Sequence, residues 1–211
     1  MSQDYWTSDI EWAKETRREE LFENYQILMS EVPDDEKSDA ITAFSKIAFD
    51  GSLAAAIYLA CYYFYHPHGR EKYRELALQW LEHAASMGSR SAALEAIKIN
   101  LKDGVDVDRS EQFLRKLASD GYLPAKLKLA IYRRAKDRDI YREEYLNLLR
   151  SASRSGHVFA RSELSRIAWM DARHLRHRTK AMLMYVNAVI TGVPVIVRYG
   201  CGNLALNERI Y

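Results

Sequence analysis

Apolar positions in this 211-residue chain recur three and four residues apart, and glycine interrupts them at a nearly constant interval. Gly51, Gly88, Gly121, Gly156 and Gly192 are separated by 37, 33, 35 and 36 residues. Seven residues before them stand Phe44, Leu81, Leu114, Leu149 and Tyr185. Four before stand Ile47, Ala84, Leu117, Ala152 and Ala188, and three before stand Ala48, Ala85, Ala118, Ser153 and Val189. This spacing is one face of a helix, and a glycine at its end suits the left-handed conformation that closes a helix C-terminus. The fourth residue after each glycine is Ala55, Ala92, Ala125, Ala160 and Ile196, which puts a small residue where a neighbouring helix can approach closely. Each period therefore reads as two antiparallel helices. One such pair buries too little apolar area to stand alone, so the pairs must stack and share a core.

The pattern predicts helices over 8–29, 38–49, 53–65, 70–86, 90–102, 108–119, 123–135, 139–154, 158–171 and 178–190, with a short one over 202–209. Ser8 with Glu11 and Asp108 with Glu111 have the spacing of a capping box, in which the first side chain accepts from a free helix N–H and the glutamate reaches back. Residues 30–37 read as a linker, because Pro33 disfavours helix at Val32 and the acids around it suit the start of the next helix. The stretch Lys14 to Glu20 has no apolar face and is expected to be solvated. The expected organisation is an acidic N-terminal helix and linker over 1–37, helical repeats over 38–200 and a C-terminal cap over 201–211. The fold class is all-α, an α/α solenoid of about four to five helix-turn-helix repeats with an N-terminal helical appendage.

The stretch from Gly88 through Lys102-Asp103-Gly104-Val105-Asp106-Val107-Asp108 to Phe113-Leu114-Arg115-Lys116-Leu117-Ala118-Ser119-Asp120-Gly121 resembles the Sel-one-like repeat, a relative of the tetratricopeptide repeat. Trp80-Leu81-Glu82-His83-Ala84-Ala85-Ser86-Met87-Gly88 is similar to the Ala-Ala-x-x-Gly ending of that pattern. The resemblance covers about Asp39 to Ile196, with departures at His66-Pro67-His68-Gly69, at Ala135-Lys136-Asp137-Arg138-Asp139 and in a fourth interhelical loop that lacks glycine. It implies a non-catalytic module that scaffolds assemblies or regulates signalling and secretion, with immunity-type inhibition of a cognate toxin as an alternative. Small size and the lack of a signal sequence fit a bacterial member.

Composition changes this picture little, but charge does. Hydrophobic residues at 48% and charged residues at 28% are ordinary globular values. The longest uncharged stretch, Ala181 to Val197, contains Asn187, Thr191, Gly192 and Pro194 and falls short of a membrane span. The opening residues, Met1 to Trp6, have no basic region followed by an apolar core, so a cytoplasmic location is expected. Cys61 and Cys201 lack metal spacing and read as small buried hydrophobes in a reducing compartment. Residues 1–50 carry five Lys/Arg against thirteen Asp/Glu, whereas the remaining residues carry 26 against 16. The basic excess is densest over 126–142 and 173–180, which a solvated helix face explains and a nucleic-acid surface explains as the alternative.

Candidate chemistry is sparse. His66, His68 and His83 suggest an imidazole cluster, but Pro67 marks a turn and no Cys or carboxylate has metal-ligand spacing. His174 and His177 sit among cations that oppose a dication. No phosphate loop or nucleophile elbow is present, so neither enzyme activity nor a metal or cofactor is expected. The run Tyr58, Tyr62, Tyr63, Phe64, Tyr65 points several ways around a helix, into the core and toward a groove or solvent. In tetratricopeptide-like geometry the first helix of each pair lines a concave surface. The resemblance then assigns Phe64, Tyr65, Lys98, Lys102, Ile131, Arg134, Arg166, Trp169 and Met170 to a basic, aromatic groove. Such a groove suits a protein or peptide partner, an acidic one in particular, with Ile131 and Trp169 equally readable as core between repeats.

Overall fold

The turns at Gly51, Gly88, Gly121 and Gly156 are built alike, and they set the architecture. In a computed structural model that describes residues 15–30, 34–65, 70–172 and 174–199, each of these glycines has a positive φ, between 83° and 101°. The residue after each glycine donates its N–H to the carbonyl five residues back: Ser52 to Ile47, Ser89 to Ala84, Tyr122 to Leu117 and His157 to Ala152, at 3.0 to 3.2 Å. These bonds satisfy carbonyls that a helix end would otherwise leave open. A Cβ added at Gly121 or Gly156 would meet nothing within 4 Å, so the demand for glycine there is one of dihedral angle and not of space.

The same residue then opens the next helix. Ser52 Oγ accepts from Ala55 N–H at 3.0 Å, Ser89 Oγ from Ala92 N–H at 3.1 Å, and His157 Nδ1 from Ala160 N–H at 3.3 Å. Tyr122 makes no side-chain cap, and Pro124 in the first turn supplies the start there. A closing glycine, a capping residue and a small residue three further on are thus one unit of five residues. The four alanines of that unit, Ala55, Ala92, Ala125 and Ala160, are fully buried, as the spacing predicts.

Among the described residues there are ten helices and no strand. They are α1 (Arg18–Met29), α2 (Asp34–Phe49), α3 (Leu53–Tyr65), α4 (Arg70–Ser86), α5 (Arg90–Asp103), α6 (Val107–Ser119), α7 (Leu123–Lys136), α8 (Arg142–Arg154), α9 (Val158–Asp171) and α10 (Leu175–Tyr199). The all-α repeat reading holds. The chain divides between Val105 and Asp106 into two compact units.

In the first unit, α1 to α5, consecutive helices pack on one another. Leu21 and Leu28 of α1 enter the same core as Phe44 and Ile47 of α2, Ile57 and Leu59 of α3, Leu81 and Ala84 of α4, and Ala92 and Ile99 of α5. The second unit, α6 to α10, stacks in the same sequential way. Leu127 and Ala130 of α7, Tyr145, Leu149 and Ala152 of α8, and Ala160 and Ile167 of α9 form its core.

Three local expectations are corrected. Within the predicted span 8–29 the described helix runs from Arg18 to Met29, and Glu15 to Arg17 are irregular, because the Glu15 carboxylate accepts from Arg17 N–H at 2.8 Å and from the Ser52 hydroxyl. Asp108 is not a cap, since α6 starts at Val107 after Asp106, and Glu111 is drawn away to cations. The last helix does not stop at Gly192 but runs from Leu175 to Tyr199. Val193, which follows Gly192, has no acceptor with which to cap a new helix where earlier periods have Ser52, Ser89 and His157. Ser8, His66, His68, Cys201 and the helix expected over 202–209 lie outside the described residues.

Candidate interaction surface

The second unit brings five of the nine candidate side chains onto two helices. On α7, Ile131 and Arg134 lie three residues apart; on α9, Arg166, Trp169 and Met170 do so within one turn. Ile131 packs against the core, which is the reading of it as buried structure. The others face outward to differing degrees. Trp169 is 45% exposed and Met170 53%, large apolar side chains that the unit leaves uncovered.

Glu163, which the sequence reading omits, organises them. Its carboxylate accepts from Arg134 Nη1 at 3.3 Å and from Arg166 Nη2 at 2.9 Å, joining α7 to α9. The Met170 thioether accepts from Arg134 at 3.9 Å and Arg166 at 3.6 Å. From α10, the Arg178 guanidinium lies 6.0 Å from the Trp169 ring centroid and donates to the Ala172 carbonyl at 3.3 Å. Two guanidiniums sharing one carboxylate leave this patch cationic but weaker than a bare count of arginines implies. Glu163 was detectable in the sequence, because it precedes Arg166 by three residues on one helix face.

The first unit holds the remaining four candidates. Phe64 is half-buried and meets Tyr65 edge to face at 5.2 Å, while Tyr65 is exposed. Lys98 is half-buried and donates to Glu95 at 2.8 Å, and Lys102 is exposed. The aromatic run divides as its helical directions require: Tyr58 enters the core, Tyr62 and Tyr63 are half-buried, and Tyr63 stacks on Tyr73 at 5.9 Å. Burial, then the neighbouring Tyr62 and Tyr73 phenols, push the Tyr63 hydroxyl above its ordinary pKa.

The basic run over 126–142 is largely consumed inside the second unit. Arg133, 1% exposed, pairs with Glu111 at 2.5 Å and Glu144 at 3.2 Å and lies 4.5 Å from the Tyr141 ring centroid. Lys136 pairs with Glu111 at 3.1 Å. Arg138 and Arg142 hold opposite oxygens of Asp171 at 2.5 and 2.8 Å. Burial raises the Glu111 pKa, but hydrogen bonds from Lys136 and Arg115 outweigh that and hold the carboxyl below its ordinary value. A polyanion approaching this run would have to compete with carboxylates already in place.

The histidines serve structure where they are described. His83 lies against Phe49 and Trp80, at 5.3 and 5.8 Å between ring centroids. His157, buried as a cap, is lowered to a pKa of about 4 by desolvation. His174, just before α10, and His177, in its first turn, are exposed. Among the described residues no three His, Cys, Asp or Glu side chains group to hold a metal, and no helix is long and apolar enough to cross a membrane.

With this geometry in hand, the chain is similar in fold to solved repeat proteins. A Sel1 repeat protein from Oxalobacter formigenes superposes with a TM-score of 0.52 at 24% identity, over 71% of this chain and 64% of that one. The protein c5321, a protective antigen present in uropathogenic Escherichia coli strains and displaying an SLR fold, superposes with a TM-score of 0.56 at 18% identity, over 92% of this chain and 48% of that one. This chain therefore spans about two thirds and about half of those two structures. No family model matches the chain, and no curated protein matches it. The fold is a Sel1-like helical repeat array.

Proposed function

We propose that this protein is a non-catalytic interaction module that holds a protein or peptide partner on the first helices of its repeats. The observation that carries this reading is the exposure of Trp169 and Met170 side by side on α9, with the Met170 thioether accepting from Arg134 and Arg166 and the Arg178 guanidinium over the Trp169 ring. An aromatic anchor beside cations shared with a single carboxylate supplies both area to desolvate and charge to steer an acidic segment. Phe64, Tyr65, Lys98 and Lys102 offer the same chemistry on the first unit, where Tyr65 and Lys102 are exposed. The module then works as an adaptor or as an inhibitor of its partner.

Affinity capture tests the reading. The full chain, immobilised and exposed to lysate of its source cell, should retain a partner in near-equal amount. A folded Trp169→Ala/Met170→Ala variant should lose that partner, while Phe113→Ala, which removes a different exposed aromatic, should keep it. Equal retention by both variants would place the contact elsewhere.

A further inference from the structure

The seventh residue before each glycine is buried in four periods and open in the fifth. Phe44, Leu81 and Leu114 are 0% exposed and Leu149 2%, but Tyr185 is 49% exposed. In the second unit the difference has a clear cause. Helix α6 is covered by α7 and α8 by α9, with Leu149 sharing a core with Ala160 and Ile167 of α9, whereas no helix follows α10 among the described residues. Met182, Tyr185, Val186 and Val189 form a stripe at i, i+3, i+4 and i+7, each 41 to 56% exposed, and Leu183 and Ile190 widen it. Ala181 and Ala188, four residues before and three after Tyr185, are 2% and 1% exposed and mark the buried face that borders the stripe. The stripe is thus a surface of the kind that other helices of this unit use to receive a helix.

Charge specifies the occupant. From Ala172 to Tyr199 the sequence contains no Asp or Glu. Arg176, His177, Arg178 and Lys180 are exposed at the start of α10, and the preceding acid, Asp171, already holds Arg138 and Arg142. Two copies of α10 packed in parallel would bring two basic ends together, and in neither direction would the pair supply a carboxylate to these cations. We propose that the Met182, Tyr185, Val186, Val189 stripe is a second docking surface, and that it takes an acidic amphipathic helix of a partner protein whose carboxylates meet Arg176 and Arg178, which stand seven residues before Leu183 and Tyr185 on the two edges of the stripe. This surface is separate from Trp169 and Met170, and its test stands or falls apart from theirs.

The probes are two labelled synthetic helical peptides of about 18 residues with the same leucine stripe, one flanked by Glu and the other by Lys. Fluorescence anisotropy with the full chain should show saturable binding of the Glu peptide, at least about tenfold tighter than the Lys peptide and weakened by salt. Val186→Asp and, separately, Arg176→Glu should each weaken it at least about tenfold, while Phe113→Ala leaves it unchanged. Arg176→Glu exchanges one exposed polar residue for another and keeps the test meaningful should Val186→Asp disturb folding. Equal binding of the two peptides, absence of saturable binding, or indifference to both substitutions would overturn the proposal. So would a dimer of the full chain that Val186→Asp disperses, which would make a second copy the occupant. Glu-peptide binding seen only after removal of residues 200–211 would make the chain's own C-terminus the occupant. Capture by phosphatidylglycerol vesicles without peptide binding would make it a membrane.

Discussion

The guanidinium of Arg133 on α7 donates to the carboxylate of Glu111 on α6 across 2.5 Å, and Arg133 is 1% exposed. An arginine is therefore the largest fully buried side chain of the chain's described core, placed among Glu111, Glu144 and Tyr141 from the helices on either side. The cluster ties three consecutive helices by charge where the repeats elsewhere are tied by alanine and leucine. Its desolvation cost is offset only while both carboxylates remain.

Unequal stability effects follow for the two partners. Glu111→Ala leaves a buried guanidinium with one half-exposed carboxylate and should cost about 3 to 5 kcal/mol. Arg133→Met removes the buried charge and fills similar space, and Glu111 keeps Arg115 and Lys136, so the loss should be smaller. Urea unfolding of both variants checks the order. A larger loss for Arg133→Met would mean that the cluster contributes net stability as an ion network.

His157 makes stability depend on pH. Its folded pKa of about 4 lies below the ordinary value of 6.5 because burial penalises the imidazolium. The unfolded chain therefore binds the proton first: the contribution is complete above pH 6.5 and is lost as pH falls toward 4, by about 2 kcal/mol at pH 5. Glu111, held below its ordinary value, adds a further loss at lower pH. Urea unfolding at pH 7.5 and 5.0 should show the drop, and His157→Ser should remove most of it while keeping an acceptor for Ala160 N–H, as Ser52 and Ser89 do for their helices. An equal drop in His157→Ser would assign it to other groups.

The alanine after each glycine turn should resist enlargement. Ala125 is fully buried, so Ala125→Leu forces α7 away from its neighbours and should cost about 1 to 3 kcal/mol. Glu19→Leu, on the exposed side of α1, should be near neutral. Thermal or urea unfolding compares the two, and equal effects would contradict the register.

Much of the fold is legible in the sequence because the constraint repeats. A glycine that must adopt a positive φ and an alanine that must admit a helix recur together, so chance matches at one copy are corrected by the others. The caps at Ser52, Ser89 and His157 were equally visible at a fixed offset but differ in residue type, which hides them from a search for one side chain. Long-range charge pairing is not written locally. Nothing near Arg133 in the chain marks it as buried, because Glu111 lies 22 residues away, and the same partner removes the apparent capping box at Asp108. Of the candidate groove, helical offset identifies the helix faces and the spacing of Glu163 from Arg166, while the pairing of Glu163 with Arg134 emerges only when α7 and α9 are side by side.

The interaction reading is tested most directly by the kinetics of the captured partner on the immobilised full chain. Trp169→Ala, shown to be folded by circular dichroism, should speed dissociation about thirtyfold, the equivalent of about 2 kcal/mol for a desolvated anchor, with association nearly unchanged. Lys98→Ala/Lys102→Ala should instead slow association and flatten its dependence on salt. Unchanged dissociation from folded Trp169→Ala would contradict a binding site on α7 and α9.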